Sequence, residues 1–292
     1  MKIPGNSFKD YLELSKLKVM APVSLTGFTG YFVFSPHLSA GLFLVTVGIL
    51  LMAISASVLN QIQEADLDAR MNRTRNRPIP AGRITWRQAA VYALCTLACG
   101  IFLIYFQGNF KAVVIGLITI GVYNGIYTPL KRITPFAVLP GALTGALPPM
   151  MGWVAAGGGV WDKPIVFIGF LMFMGQIPHF WLLVVRYGEE YKSAGLPSLT
   201  GIFSSFQIKR LTFTWVLTSV AAALFLCFFK IIQIDLITIV LLAASIYLVW
   251  RFTDLLKDQE MYGNITKYSV LLNSYFLLIM ILLISDRIIT SG

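Results

Sequence analysis

Runs of apolar residues long enough to cross a bilayer recur along the whole chain, near 20–36, 40–63, 88–107, 112–127, 136–157, 164–185, 211–229, 234–250 and 268–285. A helix needs about 20 residues to span the hydrocarbon core. The pattern therefore predicts an all-α, polytopic integral membrane protein with about nine transmembrane helices in one bundle around a central cavity. Ahead of the first run, residues 8–19 read FKDYLELSKLKV, an amphipathic approach expected to lie at the membrane interface before the chain enters the bilayer. After the second run, Pro78, Pro80 and Gly82 break the helix and let the chain turn. No repeat, low-complexity tract or linker divides the chain, so residues 1–292 are expected to form a single transmembrane domain.

Composition agrees with that reading. The 292 residues are 57% hydrophobic and 12% charged, whereas a soluble domain carries about 25% charged residues. No signal-peptide pattern precedes the first run. Cys95, Cys99 and Cys227 lie inside apolar runs and are expected to be small buried hydrophobes, not a disulfide framework or a zinc site.

Charge orients the bundle. With the N-terminus in the cytoplasm, all of the 23 Lys and Arg except Lys111, Lys163, Lys230 and Arg287 fall on that side, as the positive-inside rule requires. Topology thereby accounts for the net charge of +10, and no nucleic acid is expected as a partner. Of the 13 acidic residues, all but Asp162, Asp235 and Asp286 share the same side. Topology does not demand that, and a metal site would.

Residues 60–77, NQIQEADLDARMNRTRNR, set three carboxylates and four arginines against the end of an apolar run. If the helix continues to Asp68, then Asn60, Glu64 and Asp68 stand at i, i+4 and i+8 on one face, and Asp66 falls on another. An amide and two carboxylates are hard oxygen ligands of the kind Mg2+ takes together with substrate phosphates. The arginines that follow suit bidentate contacts to an anionic leaving group. A charged, solvated loop that only sets topology is the plainer alternative.

Further along, the segment Tyr123 to Arg132 is expected to be a second cytoplasmic loop presenting Lys131 and Arg132. The fifth span is rich in Gly141, Gly145, Pro148, Pro149, Gly152 and Trp153, suited to close helix packing or to opening a cavity. The sixth carries Gln176, Pro178 and His179 in an apolar context, and polar groups inside a span point to a site by default. His179 falls close to the cytoplasmic rim at 1.5 Å per residue. Glu189 and Glu190 follow at the exit of that helix. Asp254, Lys257, Asp258, Glu260 and Lys267 look like an ordinary solvated loop.

The string Asn60-x-x-x-Glu64-x-x-x-Asp68-x-x-Met71-x-Arg73-Thr74-x-x-Arg77-Pro78 resembles the first signature of the UbiA superfamily of membrane prenyltransferases, and its Glu and Met resemble the haem O synthase branch. Similar in the same way are Tyr127-Thr128-x-x-Leu-Lys131-Arg132, GALTGALPPMMGW at 141–153 and Gln176-x-Pro178-His179-Phe180-Trp181. The chain departs from that branch at Lys16-Leu17-Lys18, where Lys-Pro-Arg is usual, at Ala137 for Asn, and at Gly175 for Trp.

The resemblance implies transfer of a farnesyl group from farnesyl diphosphate to a vinyl group of haem b, with Mg2+ as cofactor, haem b as substrate and the cell inner membrane as location. It implies metal ligation by Asn60, Glu64, Asp68, Glu189 and Glu190, diphosphate binding by Arg73, Arg77, Lys131 and Arg132, and acceptor contacts from Gln176, His179 and Trp181. Catalysis is expected from Asn60, Glu64, Asp68, Arg73, Arg77 and His179. The alternatives are a sibling acting on an aromatic or quinone-precursor acceptor, and a transporter or assembly factor for an amphipathic cofactor. Oligomeric state is not legible in the sequence.

Overall fold

The computed structural model describes residues 7–107, 109–257 and 265–291, and all regular structure among them is helical. In chain order the α-helices are α1 (Phe8–Ser15), α2 (Leu17–Phe34), α3 (Ala40–Gln63), the single turn α4 (Ala65–Asp68), α5 (Trp86–Phe106), α6 (Phe110–Ile120), α7 (Thr128–Leu130), α8 (Val138–Ala155), α9 (Lys163–Arg186), α10 (Gly188–Ser193), α11 (Ser205–Phe228), α12 (Asp235–Lys257) and α13 (Ile265–Ser291). A π-helical stretch, Gly121–Tyr127, joins α6 to α7. Among the described residues, eight helices are long and apolar enough to cross a membrane. The ninth expected span is present as α8, 18 residues whose paired prolines and glycines dilute its apolar character.

Helix α8 lies at the centre, packed on α2, α3, α6 and α9, while α13 contacts both α9 and α2 and so draws the late helices back onto the early ones. Side chains such as Phe43, Leu94, Phe102, Leu236 and Ile246 stay exposed on the outside. An apolar exterior of that kind suits lipid, where every backbone group is already satisfied within its helix.

Small residues set the spacing at the centre. A Cβ on Gly30 would collide with the backbone of Pro149, and one on Gly152 with the carbonyl oxygen of Gly27. The backbones of α2 and α8 therefore touch, the small-residue packing on which membrane helices depend. Elsewhere on α8, Gly141 receives the ring of Tyr127 and Gly145 the side chain of Gln176. The glycines of α8 thus divide between close backbone packing and seating side chains from neighbouring helices.

Three expectations change. The N-terminal segment is not one interfacial helix: α1 ends at Lys16, which takes a left-handed conformation (φ 46°), and α2 begins at once. Contacts tie α1 down, with Arg83 meeting Asp10 and Glu13, and Gln61 Nε2 donating to the Leu14 carbonyl at 2.8 Å. The segment Tyr123–Leu130 is helical instead of a loop, because Asn124 Nδ2 donates to the Ala56 carbonyl (3.0 Å) and to Gln63 Oε1 (3.1 Å), anchoring the wide π-turn on α3. Cys95 and Cys99 are exposed on α5 and Cys227 is half-buried, all three free. Asp258 and Glu260 lie outside the described residues.

Since the collision at Gly152 is with backbone, Gly152→Ala cannot be absorbed by a rotamer change. Overpacking of this kind costs about 1–3 kcal/mol. The thermal midpoint of the purified protein in detergent is expected to fall, and an unchanged midpoint would show that α2 and α8 are not in backbone contact.

Candidate active site at the charged end of the bundle

The helix entering the first motif is nearly continuous. It breaks only at Glu64, whose backbone (φ −104°, ψ 10°) separates α3 from α4, while Glu64 N still bonds the Asn60 carbonyl and Asp68 N the Glu64 carbonyl. Helical spacing therefore survives through Asp68. Asn60, Glu64 and Asp68 are 5%, 4% and 1% exposed, and Asp66 is exposed. The shared inner face expected from i, i+4, i+8 is the arrangement found.

Each buried oxygen group on that face meets a group from elsewhere. Asn60 Nδ2 donates to Thr128 Oγ1 (3.1 Å), and Thr128 Oγ1 donates to the Tyr123 carbonyl (2.8 Å) across the π-turn. Glu64 receives the Lys131 ammonium on both oxygens, at 2.9 and 3.1 Å. Asp68 Oδ2 accepts from Arg77 at 2.6 Å, in a loop held by Thr74 Oγ1 donating to the Asp68 carbonyl (2.9 Å). The second acidic cluster approaches the same loop, with Arg73 Nε 3.9 Å from Glu190 Oε2 and its guanidinium 4.4 Å from the Tyr187 ring centre. The Lys131 ammonium also stands 5.7 Å from the ring centre of Tyr191.

The structure thus gathers Asn60, Glu64, Asp68, Arg77 and Lys131, with Arg73 and Glu190 alongside. It sets Arg132 apart: that side chain is exposed and holds Asp66 and the Gln63 carbonyl on the outer face. Arg70 and Arg75 are exposed as well. The side chain of Glu189 lies outside the described residues.

Charges in the cluster tune one another. Burial disfavours the Lys131 ammonium, but the charge and hydrogen bonds of Glu64 outweigh it and hold the Lys131 pKa above the ordinary lysine value. Lys16 goes the other way: burial, then the charge of Arg77, lower it from 10.5 to about 7, with Asp68 and Glu64 opposing. Out on the surface, the Arg132 hydrogen bond keeps the Asp66 carboxyl below its usual range. The amphipathic pattern of residues 8–19 points Lys16 to the membrane interface and does not place it here. Its signal in the sequence is its position in Lys16-Leu17-Lys18, where the resemblance expects Lys-Pro-Arg.

Oxygen chemistry at the site fits Mg2+. Among the described residues no three His, Cys, Asp or Glu side chains are close enough to hold a metal ion by themselves. Mg2+ does not require such a cage, since one or two carboxylates and the substrate's phosphates suffice. Glu190 Oε2 is buried without a hydrogen-bond partner, and a carboxylate oxygen in that state is suited to a cation.

Deeper in the bundle an aromatic column runs inward from the cluster. Tyr123 stacks on Tyr127 (5.4 Å between centroids), Tyr127 lies 5.8 Å from Phe180, and Phe180 lies 5.8 Å from His179. Gln176 sits against Gly145 one turn before Phe180. Trp181 is buried and its Nε1 has no partner. Such a wall of π-faces beneath a cluster of cations can accommodate an apolar tail with an anionic head, and can stabilise positive charge at their junction.

The chain is 33% identical over 279 residues to a protein of Oleidesulfovibrio alaskensis named protoheme IX farnesyltransferase, covering 96% of each chain. It is 32% identical over 289 residues to the protein of that name from Psychromonas ingrahamii, covering 96% of this chain and 90% of the relative. Solved structures share its fold. A digeranylgeranylglyceryl phosphate synthase superposes with a TM-score of 0.78 at 20% identity, over 96% of this chain and 98% of the other. A UbiA homologue from Archaeoglobus fulgidus bound to GPP and Mg2+ gives 0.72 at 17% identity, over 96% and 98%. The UbiA prenyltransferase family model matches residues 23–282, and with it the helices that carry Asn60, Glu64, Asp68, Lys131 and His179: the chain belongs to the UbiA prenyltransferase family.

Proposed function

We propose that the chain transfers a farnesyl group from farnesyl diphosphate to a vinyl group of haem b, as a single domain in the cell inner membrane with its charged end in the cytoplasm. The observation that carries the donor half is the pair of buried acid–base contacts, Glu64 with Lys131 and Asp68 with Arg77, at the mouth of an aromatic-lined bundle. The acceptor half rests on the relatives named protoheme IX farnesyltransferase, which match nearly the whole chain.

In this reading Arg77 and Lys131 bind the diphosphate, Arg73 assists from the Tyr187 side, and Arg132 steers from the rim. As the two cations turn to the substrate, Glu64 and Asp68 are left with lone pairs for a metal. Mg2+ bound by Asn60, Glu64 and Asp68 on one side and Glu189 and Glu190 on the other would supply positive charge to the departing diphosphate. The allylic C–O bond breaks, and its electron pair leaves with the diphosphate. Tyr127 and Phe180 offer π-faces to the allylic cation. The terminal vinyl carbon of haem b forms the new C–C bond, and the neighbouring carbon takes water, whose proton goes to His179. Gln176 and Trp181 border the acceptor. The product carries a hydroxyethylfarnesyl side chain.

The direct test is incubation of the purified protein with haem b, farnesyl diphosphate and Mg2+, followed by mass analysis. A haem adduct gaining one farnesyl group and one hydroxyl is expected, the second proton of the added water having left. Consumption of the diphosphate without that adduct would move the acceptor to an aromatic or quinone precursor, and no consumption at all would favour a carrier of an amphipathic cofactor.

Facing separates two neighbouring acids. Asp68→Asn is expected to lower Mg2+-dependent affinity for farnesyl diphosphate by about tenfold or more, since a charged hydrogen-bonding group is worth about 1.5–3 kcal/mol. Asp66→Asn should leave it within about fivefold, an exposed pair contributing at most about 1 kcal/mol. Equal effects in calorimetry would remove the inner face from the site.

Lys16 carries a pH dependence. Its pKa of about 7 in the fold against 10.5 outside means that between those values the unfolded chain holds a proton that the fold does not. Stability is therefore penalised in full below about pH 7 and recovers as pH rises toward 10.5. Ligand-free Lys16→Met should melt above wild type at acid pH, with the gap closing through that window. A gap independent of pH would show that Lys16 is not buried among these charges.

A further inference from the structure

Helix α13 carries Asn273 within a stretch long and apolar enough to span a membrane. An amide in such a place is costly unless another polar group meets it. Asn273 Oδ1 lies 2.9 Å from Nδ1 of His179, 94 positions earlier in the chain. The approach depends on a neighbouring contact one turn away on both helices. Gly175 leaves α9 without a side chain at that level, and the ring of Phe276 fills the space so closely that a Cβ on Gly175 would collide with it. Gly175 and His179 stand at i and i+4 on α9, while Asn273 and Phe276 stand at i and i+3 on α13, so each pair shares a face. The ring seated on the glycine brings α13 near enough for the amide to reach the imidazole.

We propose that Asn273 is a positioning residue for His179: its side-chain carbonyl accepts the Nδ1–H of the imidazole and so fixes the tautomer whose Nε2 lone pair is directed to the acceptor. In neutral imidazole one nitrogen donates and the other accepts, and the bond made by one decides the state of the other. A carbonyl at Nδ1 leaves Nε2 free to take a proton or to bind the haem iron. The inference rests on the acceptor-side role given to His179 above. It assigns to an apolar helix with no other candidate residue the task of holding that group.

The experiment reads the tautomer apart from turnover. The chain has two histidines, His37 and His179, so 15N-histidine labelling gives two imidazoles, and a His37→Asn control assigns them. In wild type, His179 is expected as the Nδ1–H form. Asn273→Leu should convert it toward the Nε2–H form that an unrestrained imidazole prefers, and Asn273→Asp, which keeps an acceptor oxygen, should retain Nδ1–H. In parallel, Asn273→Leu should lower haem farnesylation roughly tenfold, the lower end of what losing an outer hydrogen bond to a functional histidine costs, with farnesyl diphosphate affinity unchanged and turnover recovered in the Asp variant. An Nε2–H wild type, or a tautomer indifferent to Asn273→Leu, overturns the proposal. A shifted tautomer with undiminished turnover also overturns the positioning role. Wild type that farnesylates no haem is a failure of the acceptor assignment instead, and the resonances still decide whether Asn273 holds His179.

Discussion

Two carboxylates, Glu64 and Asp68, are buried at the end of an apolar bundle, and most of the surrounding structure can be understood as what makes that tolerable. An ion removed from water costs several kcal/mol even after relaxation, and breaking a buried pair costs about 3–5 kcal/mol because the remaining charge is stranded. Lys131 must therefore reach Glu64, and Arg77 must reach Asp68. The first contact requires the helix after α6 to arrive in a particular phase, which the π-turn at Gly121–Tyr127 provides; π-turns are rare and occur frequently at functional sites. The second requires a tight loop, and Thr74 secures it.

The arrangement is also poised for exchange. Pairing with cations holds the two acids without committing them to a permanent bond, and in the proposed reading a diphosphate would compete for the same cations. Burial first, and then the charge of Arg77, disfavour a further ammonium at Lys16. On the central helix α8, Gly141 and Gly145 accept Tyr127 and Gln176 and let the aromatic column pack close to that helix as far as the level of His179.

Acids at the opposite end of the bundle behave differently. Asp162 accepts from Trp153 Nε1 (2.9 Å) and Gly159 N (2.7 Å), and Asp286 accepts from the backbone of Gln233 (2.8 Å) and Ile234 (3.0 Å). These carboxylates close turns between helices. Those of the first motif meet side-chain cations. The uneven distribution of acids along the chain thus has two causes, helix termination at one end and pairing with side-chain cations at the other.

Local periodicity and composition carry one part of this architecture. Apolar run length set the spans, the excess of Lys and Arg on one side suggested an orientation, and the 3.6-residue period placed Asn60, Glu64 and Asp68 on one face and Asp66 on another. Packing between helices decides which base meets which acid. Arg132 follows Lys131 directly yet turns outward to Asp66, Lys16 comes from a helix junction to join the cluster, and Asn273 reaches His179 across two helices. Those outcomes depend on the distance and phase at which helices far apart in the chain pack. Side chains from Gly152, Gly175 and Asn124 settle that distance and phase by contact or by their absence, and no spacing within a single helix records it.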